Sequence, residues 1–220
     1  MAARKAASLT TRAAGEAGRH EPIQVMITGS SVRKADHPVE KFFLDRWSAH
    51  AMSGAISEEE LMRLFEAARW APSSYNNQPW RILYARRDTE AWNVFLNLLV
   101  DANKAWAKDA AALLVFLSKT TFDYNGKPCR THAFDAGAAW ENLALQAACM
   151  GLVTHGMQGF DYERAKTELG VPDGFEVQAM AAVGKPGRKE DLPASFQARE
   201  TPNSRRPLAE TVFEGRFPKG

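Results

Sequence analysis

The chain has 220 residues, of which 45% are hydrophobic and 25% charged, with 28 Lys and Arg against 26 Asp and Glu. This length fits one domain with extensions, and a formal net charge of +2 is too balanced for a dedicated nucleic-acid-binding protein. The longest purely apolar run, residues 110–117, is far shorter than the roughly 20 residues of a membrane-spanning helix. We therefore expect a globular protein of the cytoplasm, with neither nucleic acid nor membrane as a partner.

The two ends of the chain differ in character from its middle. Residues 1–37 lack the apolar segment of about 7 to 15 residues that marks a secretory signal, so we expect a mobile N-terminal arm, with an organellar targeting peptide as the alternative. The folded domain is expected to span residues 38–187. Residues 188–220 are polar and rich in turns, yet apolar side chains recur among them, which favours an arm that lies on a partner subunit.

Helices alternate with a few strands along the predicted domain. Ser57 and Glu60 form a capping box, in which each side chain accepts a hydrogen bond from the other residue's backbone amide. Apolar residues at 61, 64, 65 and 68 then follow on one helical face, and Pro72 ends the helix. This alternation, with helices dominating, indicates the α+β class. The other predicted helices span residues 88–100, 132–150 and 161–169, and the predicted strands span 81–85, 113–117 and 176–183.

Several kinds of site are absent from the sequence. The five histidines show no HxxxH or HExxH spacing, so we predict no metal site. The absence of GxxxxGK[ST] and GxGxxG motifs excludes a P-loop enzyme and a Rossmann dehydrogenase. The absence of GxSxG argues against an α/β-hydrolase. The two cysteines have no CxxC spacing and indicate a reducing compartment; we expect Cys149 to be buried on its helix and Cys129 to be exposed.

One uncharged loop stands out, Ala-Pro-Ser-Ser-Tyr-Asn-Asn-Gln-Pro-Trp at residues 71–80. Its amides and hydroxyls offer many neutral donors and acceptors between two rigid prolines. Such a loop suits the edge of a planar heteroaromatic ligand. It equally suits a turn in which Ser and Asn side chains bond their own backbone, and composition alone leaves both interpretations open.

The segment that contains this loop, residues 68–81, resembles the signature of the FMN-dependent nitroreductase family. Weaker elements of the family pattern follow in the expected order, and together they cover residues 38–217. They include Arg-x-Ser-x-His at 46–50, Asn103 with the segment 106–110, and the segments 135–139, 142–143, 156–161, 184–186 and 204–208.

The resemblance implies a three-layer α/β/α fold, in which helices flank a central, mainly antiparallel sheet. It also implies an intertwined homodimer that exchanges C-terminal arms and holds two FMN sites at its interface. In such enzymes NADPH or NADH donates a hydride, and the flavin passes it to a nitroaromatic, a quinone or a related acceptor in a ping-pong cycle. No side chain need act as the nucleophile.

The resemblance assigns flavin contacts to residues in four parts of the chain. The first motif and the C-terminal arm would hold the phosphate and ribityl chain, since guanidinium groups suit phosphate, with either of two adjacent arginines in the arm. Asn103 would reach the pyrimidine edge, the 71–80 loop of the other subunit would line the ring, and the glycine segment would place amides near N5 and O4. These residues are Arg46, Trp47, Ser48, His50, Pro72, Ser73, Ser74, Asn76, Asn103, Gly156, Met157, Gln158, Gly159, Arg205 and Arg206.

Three positions depart from the family pattern. His50 replaces the usual Arg or Lys, Gln158 replaces an acidic residue of the best-known branch, and Trp106 stands where a Lys is common. Trp106 is either a stacking wall for substrate or plain core, and with His155 and Tyr124 it completes the candidate substrate contacts. These departures leave open a branch that modifies a dedicated metabolite, by dehalogenation or flavin breakdown, and a non-catalytic flavin-binding module.

Overall fold

Helices alternate with strands through the part of the chain that the computed structural model describes, residues 28–218. Most of the predicted N-terminal arm, residues 1–27, and residues 219–220 lie outside the described residues. The helices are α1 (Lys41–Asp45), α2 (Glu58–Arg69), α3 (Glu90–Leu98), α4 (Asp101–Ala107), α5 (His132–Cys149), α6 (Tyr162–Glu168) and α7 (Ala194–Gln197), and the strands are β1 (Met52–Ser53), β2 (Trp80–Arg86), β3 (Ala112–Lys119), β4 (Val153–Met157) and β5 (Phe175–Pro186).

The strands form one antiparallel sheet in the order β1-β5-β3-β2. At its centre, Val115 of β3 lies opposite Leu83 of β2 and Met180 of β5. Strand β5 is the longest and pairs with three strands, with β3 through Val183, with β4 at residues 180–184 and with β1 at Lys185 and Pro186. The predicted antiparallel sheet is therefore confirmed, and β5 is the strand that joins its parts.

A hydrophobic core lies on each face of the sheet. Because side chains alternate along a strand, Leu113 and Val115 of β3 enter one core while Leu114 and Phe116 enter the other. Apolar residues of α3, α4 and α6 complete the first core, and those of α2 and α5 complete the second. This arrangement confirms the predicted three layers. No helix among residues 28–218 is long and apolar enough to cross a bilayer.

The layer formed by α2 and α5 follows the sequence pattern closely. The Ser57 hydroxyl accepts from the Glu60 amide at 3.1 Å, and the Glu60 carboxylate accepts from the Ser57 amide at 2.7 Å, which confirms the capping box. Helix α5 buries small residues, including Ala139 and Ala147, so that α2 packs close to it. It ends before Gly151, whose φ of +70° suits a glycine.

Three local predictions differ from the structure. The predicted helix 88–100 ends at Leu98, and α4 begins separately at Asp101. Strand β4 was not predicted, because its five residues include a glycine and two polar side chains. The cysteine predictions were wrong: Cys129 is buried and Cys149 is exposed, since residue 149 lies about 200° around α5 from buried Ala147.

The capping box gives a testable expectation for stability. Replacing Ser57 by Ala removes the acceptor of the Glu60 amide, and the loss of such a cap costs about 1 kcal/mol. We expect the free energy of unfolding in urea to fall by about that amount. Ser204→Ala is the control, because the Ser204 hydroxyl makes no hydrogen bond among residues 28–218, and an equal loss in both variants would contradict the capping role.

Candidate functional site

An arginine-lined cavity of about 440 Å³ lies where the loop after α1 meets the N-terminal and C-terminal segments. It brings together six of the residues singled out in the sequence, from positions 46 to 205. It also includes Arg33 and Arg199, which sequence analysis did not single out. The lining residues are Arg33, Arg46, Trp47, Ser48, His50, His155, Arg199, Thr201, Asn203 and Arg205; we call this the arginine cavity.

Neutral carbonyl oxygens hold the guanidinium of Arg33 in this cavity. It donates to the backbone oxygens of Leu44 at 3.0 Å, Arg46 at 2.6 Å and Asn203 at 2.8 Å. Burial, and next the nearby charges of Arg205 and Arg46, lower the pKa of Arg33. Arg33 thus joins the N-terminal segment to both walls of the cavity and adds a positive charge that pairs with no carboxylate among residues 28–218.

The other three arginines of the cavity are each held in a different way. Arg205 donates to the side-chain oxygen of Asn203 at 3.2 Å, and the Arg199 guanidinium lies over the Phe196 ring at 4.9 Å. Among residues 28–218, Arg46 alone of the four pairs with a carboxylate, that of Glu141 at 3.5 Å. The cavity therefore carries an excess of positive charge, the chemistry that binds a phosphate.

A cluster of rings forms the floor behind the arginine cavity. His50 lies 4.5 Å from His155 and 5.1 Å from Trp106, and Phe196 lies 5.0 Å from His50, measured between ring centroids. Nδ1 of His155 donates to the backbone oxygen of Ala49 at 3.1 Å. Burial, and next the charge of His50, lower the pKa of His155 to about 4, so its ring is neutral at neutral pH.

A buried carboxylate, Glu200, lies behind His50. Its exposed fraction is 5%, and it accepts hydrogen bonds from the backbone amides of His50 and Ala51 and from Nδ1 of His50, each at 2.8 Å. Burial raises the pKa of Glu200, but these hydrogen bonds outweigh it and leave the pKa below its ordinary value. Sequence analysis missed Glu200, since nothing local marks this residue in a polar, turn-rich segment.

Residues 156–158 line a second cavity of about 410 Å³, between β4, β5 and α5. Its walls are largely apolar and include Trp140 and Phe116. A Cβ on Gly156 would lie 3.2 Å from the Trp140 ring, so a glycine lets the strand approach that ring closely. We call this space the apolar cavity.

The side chain of Asn103 fixes the turn that follows β4. Its Nδ2 donates to the backbone oxygen of Gly159 at 3.0 Å. A Cβ on Gly159 would lie only 2.7 Å from that nitrogen, so this contact depends on the glycine. The two residues, which the family resemblance assigns to the same flavin ring, therefore lie in contact.

The uncharged loop at residues 71–80 is held by two kinds of contact. The Ser73 hydroxyl accepts from the Gln78 amide at 3.0 Å, which is the local bonding expected of a turn. The Ser74 amide instead donates to the buried carboxylate of Asp135 at 3.1 Å. Tyr75 and Asn76 have φ values of 50° and 52°, a sparsely populated conformation for such residues. None of Pro72, Ser73, Ser74 and Asn76 lines the arginine cavity or the apolar cavity.

The remaining candidates lie in three different places. Tyr124 is exposed and forms a cluster with Tyr75 and Phe122, with ring centroids 5.4 to 5.7 Å apart. Trp106 is 1% exposed and lines neither cavity, which fits the core alternative. Arg206 lines a third cavity, between residues 32–39 and 204–208, rather than the arginine cavity.

Residues 28–218 contain no group of three or more His, Cys, Asp or Glu side chains that could hold a metal ion.

Comparisons with known proteins agree on one family. The model of the nitroreductase family matches residues 52–185. A solved oxidoreductase containing FMN is 44% identical, with a TM-score of 0.82, over 86% of this chain and 97% of its own. A protein from Desulfovibrio desulfuricans, described as a nitroreductase in complex with FMN, is 26% identical with a TM-score of 0.65, over 84% of this chain and 100% of its own. An Archaeoglobus fulgidus relative, described as an NADH dehydrogenase or NAD(P)H nitroreductase, is 29% identical over 62% of this chain and 78% of its own.

The neutral His155 ring predicts how stability depends on pH. Its pKa is about 4 in the folded chain and about 6.5 when unfolded, so between these values the unfolded chain binds a proton that the folded chain does not. The free energy of unfolding should therefore fall as the pH drops from 6.5 to 4, by roughly 3 kcal/mol from this group.

Urea unfolding at several pH values measures this loss. His155→Phe keeps the ring contacts but cannot bind the proton. Between pH 6.5 and 4 its free energy of unfolding should therefore fall by roughly 3 kcal/mol less than that of the native chain. Exposed His37→Gln, the control, should behave like the native chain. Parallel curves for the native chain and His155→Phe would contradict the assignment.

Proposed function

The chain belongs to the nitroreductase family of FMN oxidoreductases, and from this premise we propose that it passes a hydride from NADPH or NADH to a nitroaromatic, a quinone or a related acceptor. The two half-reactions follow a ping-pong order. The observation that carries the proposal is the arginine cavity, in which the guanidinium groups of Arg33 and Arg205 are bonded to neutral oxygens. The two free cysteines support a reducing, cytoplasmic setting.

The residues of the arginine cavity fit the phosphate end of FMN. Arg46, Ser48 and Arg205 offer charged and neutral donors, and a guanidinium can donate two parallel bonds to a phosphate. Arg33 and Arg199 add two charges to the set that sequence analysis proposed. Arg205, and not Arg206, belongs to this group, since only its side chain lines the cavity.

The segment from Gly156 to Gly159 fits the edge of the flavin ring. When bound, FMN accepts a hydride from the nicotinamide and delivers it to the second substrate. Backbone amides near the ring edge stabilise the negative charge that grows there. The Asn103 side chain holds this segment through Gly159, and the apolar cavity beside it excludes water from the ring.

A homodimer completes this site. Residues 72–76 line neither cavity of their own subunit, and we assign them to the flavin ring in the partner's site. The C-terminal segment supports the dimer, because several of its apolar side chains are exposed: Leu208 is 47%, Val212 66% and Phe217 85% exposed. A second subunit beneath this arm would bury them.

The aromatic cluster of Tyr75, Phe122 and Tyr124 is our candidate contact for the electron acceptor. Asn77 links the two loops that carry these three rings. Its side chain donates to the Thr121 oxygen at 3.2 Å and accepts from the Asp123 amide at 2.9 Å. Exposed aromatic faces stack on planar rings, which favours nitroaromatics and quinones. His155 and buried Trp106 support the flavin site from behind.

The visible absorption spectrum of the purified protein tests the proposed function. A two-band flavin spectrum should bleach when NADPH or NADH is added without oxygen, and recover when a nitroaromatic or quinone follows. The same titration shows which nucleotide is preferred. A bound flavin that neither nucleotide bleaches would indicate a flavin-binding module, and a protein that takes up no FMN would overturn the proposal.

Adjacent arginines provide a matched test of the phosphate site. Arg205→Ala removes a charged donor from the arginine cavity, and the loss of such a hydrogen bond should weaken FMN binding about 10- to 100-fold. Arg206→Ala, the control, should bind FMN like the native chain. Titration of protein with FMN and with riboflavin measures both, and riboflavin, which lacks the phosphate, should bind each variant equally. Full flavin affinity in Arg205→Ala would refute the assignment.

A further inference from the structure

We propose that Glu200 is a positioning residue for the flavin site, whose buried carboxylate fixes the His50 ring so that Nε2 of that ring faces the phosphate end of FMN. The inference rests on the proposed function and adds to it a residue that no family motif marks. Glu200 acts through His50, because His50 lines the arginine cavity and Glu200 does not.

Both oxygens of the Glu200 carboxylate are committed to residues 50 and 51. Oε1 accepts from the amides of His50 and Ala51, each at 2.8 Å, and Oε2 accepts from Nδ1 of His50 at 2.8 Å. A buried charge is costly unless such bonds satisfy it. One side chain therefore fixes the backbone and the ring of the same residue, which defines where the ring lies.

This contact also determines which ring nitrogen is available to a ligand. A carboxylate only accepts hydrogen bonds, so Nδ1 of His50 carries the proton that it shares with Glu200. Nε2 lies on the opposite edge of the ring and has no hydrogen-bond partner among residues 28–218. Nε2 is therefore the ring nitrogen of His50 that can bind a ligand in the arginine cavity.

Neighbouring rings restrict any other orientation of His50. Trp106, His155 and Phe196 surround it at centroid distances of 5.1, 4.5 and 5.0 Å. The flanking residues of Glu200, Arg199 and Thr201, line the cavity themselves. The two neighbours of Glu200 thus line the cavity directly, and Glu200 positions His50 there through its carboxylate.

A double-mutant cycle on cofactor affinity tests this role. His50→Asn keeps a donor for Glu200 but removes Nε2, and Glu200→Gln removes the charge that fixes the ring. We expect each variant to weaken FMN binding about 10-fold and the double variant to weaken it no further, since both remove one interaction. Riboflavin affinity should change less than 2-fold throughout. Exposed Glu190→Gln, in the same C-terminal segment, is the control and should match the native chain.

Three results would overturn the inference while leaving the proposed function intact: native FMN affinity in Glu200→Gln, additive losses near 100-fold in the double variant, or equal losses for riboflavin. Additive or equal losses would show that Glu200 only supports the fold. If the native protein takes up no FMN at all, the proposed function fails, and the inference falls with it.

Nuclear magnetic resonance of the His50 ring tests the contact without any Glu200 variant or flavin. The native protein should show a proton on Nδ1 of one imidazole that is absent from the His50→Asn spectrum and therefore belongs to His50. An Nδ1 without a proton would overturn the inference, even if Glu200→Gln does not fold. Where that variant does not fold, Glu200→Asp, which keeps the charge on a shorter side chain, replaces it in the cycle.

Discussion

Strand β5 is the element on which the site depends. It pairs with β3 between the two cores, with β4 at residues 180–184 and with β1 at Lys185 and Pro186. His155 of β4 lies opposite Ala182, and Met52, two residues after His50, lies opposite Pro186. Pairing of both segments with the same strand therefore brings the two histidines together, although they lie 105 positions apart in the chain.

The arginine cavity collects several positive charges, and neutral oxygens hold two of the arginines in place. Arg33 and Arg205 are bonded to carbonyl and amide oxygens, which are neutral and therefore do not cancel their charge. The buried carboxylate of Glu200 accepts hydrogen bonds from the His50 ring and from two backbone amides. The negative charge of Glu200 is thus directed away from the surface of the arginine cavity, where an anion would bind.

The sequence predicted those parts that depend on local pattern. The capping box at Ser57, the apolar run of β3 and the Ala-rich α5 each carry their signal within a few residues. Strand β4 carries almost none, because Gly156 and two polar residues interrupt its short pattern, and pairing with β5 alone makes it a strand. The exposure of Cys149 could have been predicted from the helical pattern, since this residue lies outside the buried face of α5.

Long-range contacts explain what the sequence did not reveal of the site. Arg33 reaches Asn203 across 170 residues, and Glu200 reaches His50 across 150. No spacing rule connects such pairs, so motif reasoning found Arg46 and Arg205 but missed Arg33, Arg199 and Glu200. The burial of Trp106 and the place of Arg205, rather than Arg206, in the lining of the arginine cavity likewise depend on the folded chain.

The contact between Glu200 and the His50 amide also bears on how the protein is made. Contacts of high sequence separation form late, because the chain between them must first be ordered. Residues before position 200 supply the sheet and both cores, so neither core needs this contact in order to form. We therefore expect the arginine cavity to close after the two cores have assembled.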